Sequence, residues 1–162
     1  MPTSIRPLER RDVDALYRMI VELAEYEKIA HLVMTSPAKL ADDAFGAAPQ
    51  FFARVAETDG ELVGYAVYSF AYYTFTGRWL YLDDLYVHES ARGSGVGKSL
   101  LAAVAEDAAA RDCFGIQWFV LDWNEAAIRF YDAMGAKVDR AWLTEKVRGP
   151  DAIRAFLARL RA

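Results

Sequence analysis

Hydrophobic and polar positions follow two rhythms along this chain, and the places where one gives way to the other mark its elements. Ile5-Arg6-Pro7-Leu8 reads as a short first strand. Asp12 then opens a segment whose apolar positions Val13, Leu16, Tyr17, Ile20, Leu23 and Ala24 recur at helical spacing, with a charged far face. Glu22, Glu25, Tyr26 and Glu27 crowd the end of this helix, where Glu22 and Glu25 read as solvated charge. Ser36-Pro37 is an N-cap followed by proline at the first helical position, which predicts a short helix over Ala38 to Phe45 closed by Gly46.

From Phe51 the period becomes two. Phe51 to Glu57 reads as a strand, Asp59-Gly60 as a tight hairpin, and Leu62 to Tyr73 as a second, longer strand. Thr76-Gly77 turns the chain again into Arg78 to Val87, so three runs joined by short turns predict an antiparallel meander. Gly95 to Arg111 returns to the helical period, with Val96, Leu100, Leu101, Val104 and Ala108 on one stripe. Ile116 to Leu121 is nearly continuously apolar, the pattern of a strand covered on both faces. Asn124 caps a helix through Met134 that Gly135 ends, Lys137-Val138 and Trp142 to Val147 read as short final strands, and Gly149-Pro150-Asp151 starts a last helix to Leu160. The order β-α-α-β-β-β-α-β-α-β with a terminal helix predicts a mixed α/β fold with an antiparallel first half, which weighs against a doubly wound sheet.

Length and composition narrow the class. A chain of 162 residues fits one domain, taken as residues 1–162, and can bury roughly two-thirds of its unfolded surface without a disulfide or metal. The net charge of −4 argues against a nucleic-acid partner and suits a small cationic substrate. A single cysteine, Cys113, excludes an internal disulfide and reads as a small buried hydrophobe. The N-terminus lacks the apolar stretch of a secretory signal, and the uncharged run from Leu62 to Phe75 is too short for a membrane helix, so a cytoplasmic protein without a membrane partner is expected. His31 and His88 are the only histidines and no Cys/His spacing suggests a metal site, so none is expected.

The chemistry gathers around Arg92-Gly93-Ser94-Gly95-Val96-Gly97-Lys98-Ser99, a glycine-rich loop leading into a helix. Glycines let backbone N–H groups approach an anion while the helix start presents its own, so the loop suits a phosphate, although plain chain reversal also uses glycines. Gly97-Lys98-Ser99 matches the end of the nucleotide P-loop, but its first glycine would have to stand at Arg92, and the chain after Ser99 holds only about two βα units. A nucleotide-binding protein is therefore a remote alternative. Asp83-Asp84 interrupts an apolar strand, where a buried carboxylate costs several kcal/mol unless it is paired or reaches a cavity. Alternation lets only one of the two face a given pocket unless a bulge intervenes, and both can instead cap neighbouring loops. Tyr131 projects on the same side as the start of its helix, with Phe130 the better candidate for core packing, and its hydroxyl, with a pKa near 10, suits a general acid for a thiolate.

Arg92-x-x-Gly95-x-Gly97 behind the acidic strand resembles the acetyl-coenzyme A loop, [Q/R]-x-x-G-x-[G/A], of the GNAT acetyltransferases. Glu22-Leu-Ala-Glu-Tyr-Glu27, Phe45-Gly46, Tyr81-Leu-Asp-Asp-Leu-Tyr-Val87 and Leu121-Asp-Trp-Asn124…Phe130-Tyr131…Gly135-Ala136 are similar to the diamine (spermidine/spermine) and thialysine branch of that family. The resemblance implies the GNAT fold, a mostly antiparallel central sheet flanked by helices, and acetyl-coenzyme A as co-substrate with no metal. Backbone groups of Leu85, Tyr86 and Val87 would hold the acetyl and pantetheine arm, and Arg92, Gly93, Ser94, Gly95, Val96, Gly97 and Lys98 the pyrophosphate, with Asn124 also on the cofactor. Tyr131 would be the general acid, and Asp83 would engage the substrate amine and help remove its proton through water. Tyr26, Glu27, Asp83, Asp84 and Trp118 would line the substrate site, and a homodimer is expected.

Departures from the branch bear on the substrate. Asp83 is one methylene shorter than the usual glutamate, Tyr73-Thr74-Phe75 replaces an Asp-Pro-Trp of polyamine-specific members, and Arg140 aligns with an acid in them. These favour a thialysine- or lysine-like amino acid or a short diamine over spermine, acetylated by direct attack with both substrates bound. A protein- or antibiotic-directed acetyltransferase and a degenerate acyl-coenzyme A binding module are the alternatives.

Overall fold

The period-two stretch folds into three long antiparallel strands on which everything around the candidate site is arranged. The computed structural model describes residues 2–161, which form two compact units divided between Phe119 and Val120. In the first unit, β1 (Ser4–Pro7) is followed by α1 (Val13–Tyr26), α2 (Pro37–Phe45), β2 (Phe52–Thr58), β3 (Glu61–Tyr73), β4 (Gly77–Val87), α3 (Val96–Ala110) and β5 (Gly115–Gln117). The five strands lie side by side in sequence order, antiparallel from β1 to β4, with β5 parallel to β4. This is the expected mixed, mostly antiparallel sheet.

Local chemistry explains the boundaries. Asp59 and Gly60 both take positive φ, 54° and 83°, the geometry of the tight turn that matches the twist of the strands it joins. Ser36 Oγ accepts from the Lys39 N–H at 3.2 Å and starts α2 as its sequence predicts. Val96, Leu100, Val104 and Ala108 of α3 are buried on one face of the sheet against Ala56, Ala66, Leu80 and Leu82. Leu16 and Met19 of α1 cover the opposite face over Val55, Tyr65, Val67 and Tyr86. At about 1.5–3 kcal/mol for each large apolar side chain removed from water, these two layers hold the first unit together.

Two register slips shape the sheet where α1 and α3 approach it. Val67 pairs with Asp84 but Tyr68 with Leu82, so Asp83 is an extra residue on β4. On β3, Val63 is passed over in the pairing with β2, and Gly64 next to it lies beneath the end of β4. A Cβ on Gly64 would stand 2.8 Å from the Tyr86 carbonyl oxygen, so only glycine fits there.

The strand expected over Ile116 to Leu121 is shorter than its apolar pattern suggests. β5 pairs with β4 only from Trp79 to Tyr81, and the ladder stops just before the bulge at Asp83, where β4 bends. From Leu82 to Val87, β4 therefore has no strand on its β5 side among the described residues.

The second unit holds α4 (Glu125–Ala133) and α5 (Pro150–Leu160). Asn124 Oδ1 accepts from the Ala127 N–H at 3.2 Å, and Gly135 ends the segment with φ +90°. The strands expected at Lys137-Val138 and Trp142 to Val147 do not form: the backbone there is irregular, with Trp142 and Leu143 almost wholly exposed. Apolar residues become a strand only where a second edge takes up their N–H and C=O groups, and none does so here.

Candidate active site

The bulge decides what Asp83 and Asp84 can do. As the extra residue, Asp83 leaves the ladder and is exposed, while Asp84 keeps its pairing with Val67 and turns inward toward α1. Burial, reinforced by the charges of Asp83 and Glu27, pushes the Asp84 carboxyl up to about 7. The hydroxyl of fully buried Tyr65 lies 3.4 Å from Asp84 Oδ2 and donates to it, which pulls weakly the other way. Although Asp83 is exposed as a residue, partial desolvation of its carboxyl raises it as well, and burial together with Asp83 raises Glu27, which sits at the C-cap of α1. Three carboxylates thus share one neighbourhood, a setting that attracts a cation and keeps a proton exchangeable near neutral pH. Beside them, Ile20, Leu23, Leu32 and Met34 wall an open depression of about 370 Å³ into which Glu27 and Asp84 face.

The opening of the glycine-rich loop is tied to the same helix. Arg92 Nε donates to the Val87 carbonyl at 3.0 Å, and its guanidinium carbon lies 5.7 Å from the centre of the Tyr26 ring and 6.0 Å from that of Tyr86. The Tyr86 hydroxyl donates to Glu22 Oε2 at 2.7 Å, which corrects the reading of Glu22 as mere solvated charge; Glu25 is exposed. Gly93 and Gly95 take φ of +75° and +89°, and Ser94 Oγ donates to the Ala91 carbonyl at 2.6 Å. Val96 is buried and anchors α3, whose N-terminus receives no side-chain cap from Gly95. Ser99 N–H is the first to bond within the helix, to the Gly95 carbonyl, so the preceding N–H groups of Val96, Gly97 and Lys98 are outside the helical ladder. Such a terminus fits a diphosphate.

The remaining expected residues divide. Leu85, Tyr86 and Val87 pair with Ala66, Tyr65 and Gly64 on one side, leaving the other side of that stretch without a strand. Trp118 packs against the core on the α3 face, whereas Glu27 and Asp84 lie toward α1, so it is not gathered with the acids. Asn124 and Tyr131 belong to the second unit, where Asn124 caps α4 and the rings of Tyr131 and Phe130 meet edge to face at 5.2 Å. Both rings are half-buried, so packing is shared and is not left to Phe130. Tyr65 and the Glu22–Tyr86 pair went unforeseen, because each depends on partners distant along the chain. Among the described residues no group of three or more His, Cys, Asp or Glu side chains is placed to hold a metal, and no helix is long and apolar enough to cross a membrane.

The chain matches the model of the acetyltransferase (GNAT) family over residues 15–136. It is 39% identical to a thialysine N-epsilon-acetyltransferase of Mus musculus, over 97% of this chain and 98% of that protein. To the thialysine N-epsilon-acetyltransferase of Sus scrofa it is 42% identical over 82% of this chain and 83% of the relative. Among solved structures, an integron cassette protein from the mobile metagenome of V. cholerae superposes with a TM-score of 0.78 at 22% identity, covering 97% of this chain and 98% of that one, a likeness of fold.

Proposed function

The chain belongs to the acetyltransferase (GNAT) family and is an N-acetyltransferase, and from that premise we propose that it moves an acetyl group from acetyl-coenzyme A to the primary amine of a small molecule with both bound together. The substrate is a thialysine- or lysine-like amino acid or a short diamine. The carrying observation is the cluster that Glu27, at the end of α1, forms with Asp83 and Asp84 on the strand that leads into the glycine-rich loop, with Asp84 raised to about 7. The names of the mouse and pig relatives support the amino-acid side of this reading.

Acetyl-coenzyme A, when bound, supplies an activated acyl thioester. The chain's own residues do the rest. The N–H groups of Gly93 to Lys98 hold the diphosphate, and the stretch of β4 from Leu85 to Val87, paired with β3 but with no strand on its β5 side, offers backbone partners to an extended arm. Tyr26 and Glu27 contact the amine substrate, and the acidic cluster gathers its ammonium group. An alkylamine with a pKa near 10 must lose a proton before it can attack, and exposed Asp83 takes that proton through water. Tyr131 returns a proton to the leaving thiolate. Residues 1–162 act as one catalytic domain, a reading supported by a family match that runs across both units. The enzyme works as a cytoplasmic homodimer.

The test is coenzyme A release by purified enzyme over a panel of thialysine, lysine, short diamines, spermine and a lysine-containing peptide. Thialysine or a short diamine is expected to turn over fastest; faster turnover of spermine overturns the substrate, and release with the peptide alone overturns the small-molecule reading. Tyr131→Phe is expected to lose roughly 10²-fold or more in kcat, and full retained activity would remove its assigned role.

A further inference from the structure

A second pocket lies away from the acidic cluster. Where β1 ends at Pro7, the start of β2 is left beside the end of α2, and a space of about 240 Å³ opens there toward the C-terminal end of α3. Leu8, Phe45, Phe51 and Phe52 form its apolar walls. Its polar end is Arg54, Tyr68, Asp107 and Arg111.

That polar end is a built network. Arg54 grips Asp107 with two bonds, Nε to Oδ2 at 2.7 Å and Nη2 to Oδ1 at 2.5 Å, and the Tyr68 hydroxyl donates to Oδ2 at 2.5 Å. Both members of the ion pair are mostly buried. One turn along the helix, Asp107 would be the natural partner of Arg111, but Arg54 and Tyr68 already occupy it. The guanidinium of Arg111 instead lies over the rings of Phe52 and Phe70, 5.0 Å and 4.7 Å from their centres, and none of its side-chain donors has a partner among the described residues. Arg10 over the Phe45 ring, at 5.3 Å, adds a further cation nearby. One carboxylate, Asp107, therefore stands with two cations, Arg54 and Arg111, beside aromatic walls, in a protein whose net charge is −4. A cation needed only to offset the helix dipole could extend into water; stacking on two rings holds this planar fork in one orientation, the arrangement suited to bidentate capture of a carboxylate.

We infer that this pocket binds a small monocarboxylate with a flat apolar body, its carboxylate held by the Arg111 fork and its ring laid among Phe45, Phe51 and Phe52. The site stands apart from the candidate active site, since Asp107 lies roughly 16 Å along α3 from the glycine-rich loop at 1.5 Å per residue. Its ligand is therefore expected not to compete with acetyl-coenzyme A.

The experiment is an amide-resonance titration of the full chain with benzoate, inorganic phosphate and benzylamine in the absence of acetyl-coenzyme A, so that it stands or falls independently of the acetyl-transfer reading. Benzoate is expected to saturate and to move the amides of residues 51–54 and 107–111, and benzylamine to leave them unmoved. Arg111→Gln is expected to weaken benzoate binding about tenfold or more. Arg111→Lys, which keeps a cation at the helix end but loses the fork, should weaken it as well, and remains informative if the glutamine variant does not fold. The inference is overturned by non-saturating shifts, by either folded variant binding as the wild type does, or by shifts centred on Glu27 and Asp84. Phosphate or benzylamine binding as tightly as benzoate would overturn it too, by showing that charge or ring alone suffices.

Discussion

The hydroxyl of Tyr65 on β3 reaches Asp84 Oδ2 on β4 across 3.4 Å, and beyond it Asp83 and Glu27 act on the same carboxyl. Burial first, then the like charges of Asp83 and Glu27, push this carboxyl up to about 7 against the weaker opposing pull of the Tyr65 hydroxyl.

For stability the sign follows from the raised pKa. Between its ordinary value of 3.8 and about 7, Asp84 holds its proton in the folded state but not in the unfolded one, so this group makes the fold less stable as pH rises through that window, by at most about 1.4 kcal/mol per pH unit. Asp84→Asn is expected to flatten that dependence, with its largest relative gain in stability above pH 7. Urea unfolding of both proteins at several pH values measures it, and parallel curves would show that Asp84 does not titrate this way.

For activity the same carboxyl should act in the opposite direction. As Asp84 ionises, the cluster gains negative charge, so kcat/KM for a cationic amine is expected to rise through about pH 7. Tyr65→Phe removes the bond that favours the ionised form and should move this midpoint upward. A pH–rate profile with an unchanged midpoint would separate Tyr65 from Asp84.

Arg92 bridges α1 and the end of β4 through the Tyr26 and Tyr86 rings and the Val87 carbonyl. Losing these contacts removes about 1–3 kcal/mol of positioning, so Arg92→Gln is expected to raise KM for both acetyl-coenzyme A and the amine by roughly tenfold or more. An effect on acetyl-coenzyme A alone in initial-rate kinetics would make Arg92 simply a phosphate ligand.

Arg6 joins β1, β2 and the turn before α1 by donating to Asp12 and Glu57 together, and Asp12 is buried. The hydrogen bond from Arg6 outweighs burial and holds the Asp12 carboxyl below the usual aspartate range, so this stability is present above pH 3.8 and is lost as pH falls through the lowered value. Arg6→Met strands a buried carboxylate and should cost about 3–5 kcal/mol at neutral pH, measured by urea unfolding, with the deficit shrinking in acid.

Gly64→Ala tests the packing under the site. Its Cβ would press on the Tyr86 carbonyl at 2.8 Å and Leu100 Cδ1 at 3.2 Å, so a loss of about 1–3 kcal/mol is expected, together with weaker acetyl-coenzyme A binding as the end of β4 shifts. Calorimetry and a coenzyme A titration read the two effects, and an unchanged melting temperature would show that β4 yields freely.

Signals that act over a few residues were legible in the sequence alone. The Ser36 cap, the Asp59-Gly60 turn and the Asn124 cap appear where local chemistry puts them, because each is satisfied by backbone groups within one turn of chain, and the apolar stripe of α3 shows in the helical spacing of its residues. The resemblance carried by Arg92 to Gly97 and by Tyr81 to Val87 identified the family for the same reason: both motifs are contiguous. What the sequence could not set is anything that depends on a partner edge or a distant side chain. Apolar runs at 118–121, 137–138 and 142–147 do not become strands, because a strand exists only through a neighbour's hydrogen bonds. Only the register against β3 makes Asp83 a bulge and turns Asp84 inward, and only the packing of α1 on the sheet sets Glu27 among the aspartates and Glu22 against Tyr86. Residue types named the chemistry; tertiary structure decided which carboxylate turns inward and is raised to about 7, since burial and like charge act through space.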